Sequence, residues 1–368
     1  MRERVEKAKK SFLLKSNSKF FAIKNTRSIT YRNFGFLIGI ILLLTNCTTD
    51  LSDQKQVSFN LNLPSHFPEL ISPENNKLTT ARIDLGKRLF YEKALSLDST
   101  ISCASCHLPE AAFSDHNPIS LGINGKLGNR NVPTLANIGY HPYFFAEGGS
   151  PSLEMQMIGP ICSDSEMGFN TKLLVERLAG DKYYDSLAKV AYARNMDLFV
   201  LTRAVGAFER SLISGNAPYD RFLQGDKTAI SESAQRGFEN FMGKWGCASC
   251  HSGHLLSNFL FENIGLYEEY EDRGRVLVSL DSTDEGKFKV PTLRNIALTY
   301  PYMHDGSIKT LEEVIEFYAQ GGKKHPNKHM FVRKRKMSEQ DKADLLAFMH
   351  SLTDSSFITN PAYLNPQK

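Results

Sequence analysis

Two five-residue stretches decide what this chain can become: Cys103-Ala104-Ser105-Cys106-His107 and Cys247-Ala248-Ser249-Cys250-His251. Each reads C-x-x-C-H, the spacing that attaches a c-type haem covalently. Two thiols two residues apart each form a thioether to a haem vinyl carbon. The adjoining histidine then sits under the ring and offers its imidazole to the iron. A zinc clip or a redox dithiol also uses C-x-x-C, but neither calls for a histidine directly after both second cysteines. The same pentapeptide occurring twice, 144 residues apart, points to two covalently bound haem c groups, with His107 and His251 as iron ligands.

A chain of 368 residues, 41% hydrophobic and 23% charged, has apolar mass for about two cores. Its formal charge of +4 conceals a division. Residues 1–33 hold ten Lys/Arg and two Asp/Glu, and 34–47 hold no charge. From residue 48 onward there are 34 Lys/Arg against 38 Asp/Glu, a net −4, so nothing suggests a nucleic-acid partner. The basic leader precedes an apolar run from Phe34 to Thr45, too short to span a bilayer but suited to the core of a signal peptide. Leu44-Thr45-Asn46-Cys47 resembles a bacterial lipoprotein box, which would make Cys47 the lipidated mature N-terminus, although Asn46 stands where a small residue is usual. The reading is a periplasmic protein whose only membrane contact is a lipid anchor; plain cleavage near Cys47 is the alternative. The remaining cysteine, Cys162, reads as a small buried thiol.

Residues 48–78 are polar and rich in Pro and Asn and read as a tether from the lipid anchor, with some packing of Phe59, Leu61 and Leu63. From Thr79, Ile83, Leu85, Leu89 and Phe90 recur at helical spacing and lead into the first haem motif. Residues 171–214 are helical by period, and 214–226 form a turn-rich joint. Ser231 is a helix N-cap ahead of the second motif, and Ser338 to Asp341 begin a helix with Leu345, Phe348, Met349 and Leu352 as its apolar stripe. Alternating strands are few, so the fold should be mainly α-helical.

An internal repeat runs through both halves. Val132-Pro-Thr-Leu-Ala-Asn-Ile138 matches Val290-Pro-Thr-Leu-Arg-Asn-Ile296, and Pro142-Tyr143 and Ser152-Leu153-Glu154 match Pro301-Tyr302 and Thr310-Leu311-Glu312. With a haem motif ahead of each copy, the economical reading is two tandem cytochrome c-like domains, each with one covalent haem. The boundaries are 1–47 for the signal segment, 48–78 for the tether, 79–218 and 219–356 for the two domains, and 357–368 for a tail.

Function then depends on the second face of each iron. A sixth protein ligand makes an electron carrier; an open face makes a site that binds and cleaves peroxide. Reducing hydrogen peroxide to water takes two electrons, which two irons can hold, and needs a nearby proton donor and acceptor.

The chain resembles the bacterial di-haem cytochrome c peroxidases, including their MauG-like branch, over residues 79–353. The resemblance rests on both haem motifs, on Arg130-Asn-Val-Pro-Thr-Leu135, on Ser152-Leu-Glu-Met-Gln156 with Glu166-Met-Gly168, and on Pro301-Tyr-Met-His-Asp-Gly306. It implies that the haem at His107 is peroxidatic, with Glu166 as catalytic acid/base and Gln156 orienting it. It implies that the haem at His251 receives electrons from a small cytochrome c or copper protein. It also implies a calcium ion at the Asn131 side chain and the backbone oxygens of Thr299 and Pro301, and a homodimer.

Three positions depart from the family pattern. Many members cap the resting peroxidatic iron with a histidine in the loop that here reads Leu121-Gly-Ile-Asn-Gly125; Ile123 stands in it, which predicts an iron open at rest. Where the classical members place a Met ligand to the second iron, this chain has Tyr318, as the MauG-like branch does, with Met303, Met330 and Met337 as rival ligands. The tryptophan expected between the haems aligns with Ala146, and the single Trp of the chain is Trp245. The leading expectation is a peroxidase reducing hydrogen peroxide. The rivals are a MauG-like oxidase acting through a high-valent state on another substrate, and a di-haem electron carrier or sensor. His304 reads as a structural or propionate-bonding histidine. The basic run Lys323–Lys336 reads either as a solvated face or as a docking patch for an acidic donor.

Overall fold

The computed structural model describes residues 57–366; Cys47 and the segment before it lie outside the described residues. The helices in chain order are α1 Thr80–Phe90, α2 Leu153–Gln156, α3 Ile158–Cys162, α4 Thr171–Ala179, α5 Lys182–Tyr192, α6 Leu198–Arg210, α7 Pro218–Leu223, α8 Glu232–Met242, α9 Val276–Ser279, α10 Leu311–Gln320, α11 Glu339–His350 and α12 Ser355–Ile358. Short 3₁₀ turns carry both haem motifs, at Cys103–Ser105 and Cys247–Ser249. The paired strands are the two-residue β1 Phe261–Glu262 and β2 Phe288–Lys289, antiparallel. The mainly helical expectation holds.

Each half is built on one helix crossing. In the first, Thr79 caps α1 by accepting from Arg82 N, Asp197 caps α6 by accepting from Val200 N, and α1 packs across α6. In the second, Ser231 caps α8, a Ser338–Asp341 capping box starts α11, and α8 packs across α11. A glycine sits at each crossing. A Cβ on Gly86 would lie 1.8 Å from the Ala204 carbonyl oxygen, and one on Gly237 would lie 1.9 Å from that of Asp344. Glycine weakens a helix interior, so its presence here is a packing requirement: the two backbones touch.

The aromatic packing repeats as well. Phe90 contacts Phe208 at 5.2 Å between ring centroids and His107 at 6.3 Å. Phe241 contacts Phe348 at 5.2 Å and His251 at 6.5 Å. Two separate apolar cores result, one around α1 and α6, the other around α8 and α11.

Two segments depart from the sequence expectation. Residues 57–78 pack on the body rather than extend from it. Phe67 is buried between Tyr140 and His254, with the Arg294 guanidinium over its ring, and His66 reaches Asp220 at 2.8 Å. The C-terminal segment returns to the first core, where Phe357 is buried against Phe113 and Tyr91 donates to the Tyr363 carbonyl. Cys162, expected buried, is exposed: it ends the short helix α3, whose inward residue is Ile161.

The joint between the halves is a buried polar knot. One Asp354 carboxylate oxygen accepts from Ser214 Oγ and from the amides of Gly215 and Asn216. Asn137 and Asn295, the repeat asparagines, bracket it through Ser214. A bidentate Arg294–Asp220 pair lies fully buried beside it, and its charges need each other.

The crossings give a direct test. Gly86→Ala or Gly237→Ala should cost about 1–3 kcal/mol by forcing the helices apart, seen as a lowered denaturant midpoint, whereas Gly128→Ala, whose Cβ would meet nothing nearer than 3.6 Å, should cost less.

Candidate functional site

The repeat Val-Pro-Thr-Leu explains how each proximal histidine is aimed. His107 Nδ1 lies 2.8 Å from the Phe113 carbonyl oxygen, and His251 Nδ1 lies 3.0 Å from that of Leu256. Donating Nδ1–H to a carbonyl fixes the tautomer and leaves Nε2 free for a metal. Those carbonyls belong to residues in the left-handed region, Phe113 at φ 60° and Leu256 at φ 52°. The repeat holds both turns. Thr134 Oγ1 donates to the Ala112 carbonyl at 2.5 Å and Thr292 Oγ1 to the Leu255 carbonyl at 2.7 Å. Ser114 and Ser257, one residue past each acceptor, donate to Val132 and Val290 at 2.6 and 2.7 Å. Sequence reasoning found the repeat but missed these four hydroxyls. The signal was there, since Ser114 and Ser257 stand seven and six residues after the motif histidines.

Electrostatics suit an iron ligand. Burial pushes the His107 imidazole pKa down, and that of His251 down to about 4, so both rings are neutral at physiological pH. Burial pushes the Cys103 thiol up, and that of Cys247 up to about 11, the opposite of a reactive dithiol. Among the described residues no group of three or more His, Cys, Asp or Glu could hold a metal ion, which argues against a zinc clip. Beside the motifs, Trp245 Nε1 and Glu209 Oε2 are buried with no hydrogen-bond partner among the described residues. Glu209 couples to Cys103, and burial raises its pKa to about 8. Orphaned buried polar atoms next to two thiols and a free imidazole Nε2 fit a covalently held haem at each motif.

Around the first motif, Glu166 lies close enough to Cys106 to raise the thiol pKa. Its side chain is largely exposed, yet the protein beside the carboxyl is dense enough for desolvation to raise its own pKa, and it has no hydrogen-bond partner among the described residues. Ile123 is buried, and its amide donates to the Glu166 carbonyl at 2.8 Å, so the loop lacking a capping histidine is tied to the residue expected to act on substrate. Gln156 ends α2, half-buried and likewise without a side-chain hydrogen bond among the described residues. Two residues earlier, Glu154 makes a buried bidentate pair with Arg210 of α6, which anchors that helix.

Around the second motif, the Tyr318 phenol of α10 couples to both Cys247 and Cys250, and burial raises its pKa. The structure therefore brings Tyr318 to the second haem motif, whereas Met330 is exposed. His304 stacks on Phe288 at 4.0 Å, and its carbonyl accepts from Asn131 N. The Asn131 side chain donates to the Asn117 and Pro118 carbonyls. Tyr300 stacks on His116 at 4.3 Å, so Asn131 and the 299–301 segment converge. Arg130 ties the halves together, bonded to Glu147 on its own side and to Asp272 across the joint. Ala146 lies on the same joint, its carbonyl accepting from Lys289 N at 2.7 Å.

The di-haem cytochrome c peroxidase family model matches residues 80–228 and the cytochrome c model residues 234–353. The methylamine utilization protein MauG of Methylorubrum extorquens is 35% identical over 85% of this chain and 90% of its own length. The chain belongs to the MauG and di-haem cytochrome c peroxidase family. The cytochrome c551 peroxidase of Nitrosomonas europaea, another relative, is 32% identical over 79% of this chain and 84% of its own length. A crystal structure of a MauG-like protein associated with microbial copper homeostasis superimposes with a TM-score of 0.80 at 35% identity, covering 84% of this chain and all of that one. Membership of this family implies two c-type haems and oxidoreductase chemistry. Among the described residues no helix is long and apolar enough to cross a membrane.

The hydroxyl clamp is testable. Thr292→Val should leave the Leu255 carbonyl buried without its partner and lower stability by about 1–3 kcal/mol, read from chemical denaturation. Ser249→Ala, at an exposed hydroxyl, should be nearly neutral.

Proposed function

We propose that this chain is an exported peroxidase that reduces hydrogen peroxide to water with electrons from a small periplasmic redox protein. The observation that carries the reading is Glu166: an unpartnered carboxyl of raised pKa, coupled to Cys106, on the loop tied to Ile123. When bound, the two haems supply the redox chemistry, since two irons hold the two electrons that the reaction needs. The protein does the rest. His107 and His251, neutral and aimed through Nδ1, offer Nε2 to the irons. Glu166 takes a proton from the incoming peroxide and returns it to the departing oxygen, and its raised pKa suits both halves of that transfer. Gln156 orients the carboxyl. Ile123 supplies no side-chain ligand, so an iron at the first motif would be left open at rest.

Tyr318, coupled to Cys247 and Cys250, would hold the second haem's iron through its phenol oxygen. Burial disfavours its phenolate, so the proton leaves only against a cation such as ferric iron. A tyrosinate there lowers the potential relative to a methionine. This feature favours a second reading, a MauG-like oxidase acting on another substrate; Ala146, with no ring to place between the haems, opposes it. Export with lipidation at Cys47, a calcium ion near Asn131, Thr299 and Pro301, and a homodimer complete the proposal.

Glu166→Gln should abolish peroxide turnover while both haems remain attached; unchanged turnover would reject Glu166 as the acid/base. In the native protein the ionised carboxylate is the base, so kcat/KM should fall as pH drops through a pKa above the ordinary 4.5 of a glutamate. Tyr318→Met should raise the potential of the second haem in a redox titration and leave that of the first unchanged.

A further inference from the structure

Fourteen residues between α10 and α11, Lys323–Lys336, contain seven Lys/Arg and no acid. From residue 48 onward the chain has 34 Lys/Arg and 38 Asp/Glu, so the rest of the body holds 27 cations against those 38 acids. The segment is thus a local surplus of positive charge on an otherwise acidic body. Among the described residues none of the seven forms an ion pair.

The segment is pinned by backbone hydrogen bonds: Lys323 N to the Gly265 carbonyl, His329 N to that of Asn263, and Arg335 N to that of Ala319, one residue past Tyr318. Its place relative to the second haem motif is set by three contacts. The Arg335 guanidinium nitrogens lie 4.0 Å from where a Cβ on Gly246 would stand, and Arg335 acts electrostatically on Cys247. On the other side His329 faces Glu262, which acts on Cys250. The basic segment therefore borders both thiols that clip the second haem. Within it, Met330 is 78% and Phe331 47% exposed, and Lys324, Arg333, Lys334 and Lys336 of the same segment are all exposed.

We propose that this patch is the docking surface for the electron donor, and that the donor is a small redox protein presenting an acidic rim around an apolar centre. Unpaired cations steer an acidic partner, the exposed methionine and phenylalanine give the short-range contact, and Cys247 and Cys250, which would hold the second haem, lie beside the segment. This rests on the reading of the second haem as the electron entry site.

The test uses the mature di-haem protein and a triple charge reversal, Arg333→Glu/Lys334→Glu/Lys336→Glu, which leaves Arg335 at the haem motif alone. Stopped-flow reduction is followed with two probes, an acidic plastocyanin-type copper protein and a basic cytochrome c, over a range of salt. Hydroquinone-driven peroxide turnover is measured alongside. The native protein should be reduced faster by the acidic probe, with a rate that falls as salt rises. The reversal should slow that probe by about tenfold or more at low salt and speed the basic one. Hydroquinone turnover should be unchanged, which shows the variant folded. A reversal that leaves acidic-probe reduction within twofold overturns the proposal. So does faster reduction of the native protein by the basic probe. Loss of binding to anionic lipid vesicles with donor kinetics unchanged would show the patch to be a membrane contact instead. Absence of hydroquinone-driven turnover in the native protein would reject the peroxidase reading while leaving the docking measurement intact.

Discussion

The hydrogen bond from each motif histidine's Nδ1 to a carbonyl of a left-handed turn is the constraint on which the structure depends. It decides which nitrogen of His107 and of His251 is free, and so where an iron can sit relative to the helices. The turn that presents the carbonyl is strained for a residue with a side chain, and Phe113 and Leu256 hold it because a threonine and a serine bond the backbone on either side. The same repeat carries Asn137 and Asn295, which grip the end of each domain's last long helix and the Ser214–Asp354 knot. One short motif, used twice, thus aims the metal ligand and joins the two halves.

The two halves share this frame and differ in what faces the far side of each haem motif. The first presents a carboxyl with no partner; the second presents a phenol. Both have pKa values raised by desolvation, but the consequences are opposite. A carboxyl of raised pKa holds its proton more readily than an ordinary glutamate, which would serve the proton transfer proposed for the first site. A phenol of raised pKa stays neutral unless a cation draws out its proton, which serves a site that keeps a fixed ligand. On the proposed reading, a repeated domain plan with these local differences would give one reactive centre and one electron relay.

Much of this was legible in the sequence, for identifiable reasons. Haem attachment depends on residues within five positions of one another, so the motif carries its own geometry. Helices α1, α8 and α11 were visible because their caps and apolar periods are local. The clamp by Thr134 and Thr292 was not, because its acceptors lie 22 and 37 residues away and exist only when Phe113 and Leu256 turn left-handed. Gly86 and Gly237 read as weak points in helices until the crossing supplies a reason for them. Residues 57–78 read as a tether because proline and asparagine report the lack of regular structure; they do not report the lack of burial, and Phe67 is buried across both halves. Cys162 misled for the converse reason: cysteine usually favours the interior, but α3 is too short to hide more than one face.

The account stands or falls on asymmetry between the two irons, one with a free coordination position and one closed by Tyr318. The electron paramagnetic resonance spectrum of the fully oxidised, purified di-haem protein at rest measures this directly. It should show one high-spin ferric haem, converted to low-spin on adding cyanide, beside one low-spin haem that cyanide leaves alone. Two low-spin haems at rest, neither altered by cyanide, would contradict it and make the chain an electron carrier.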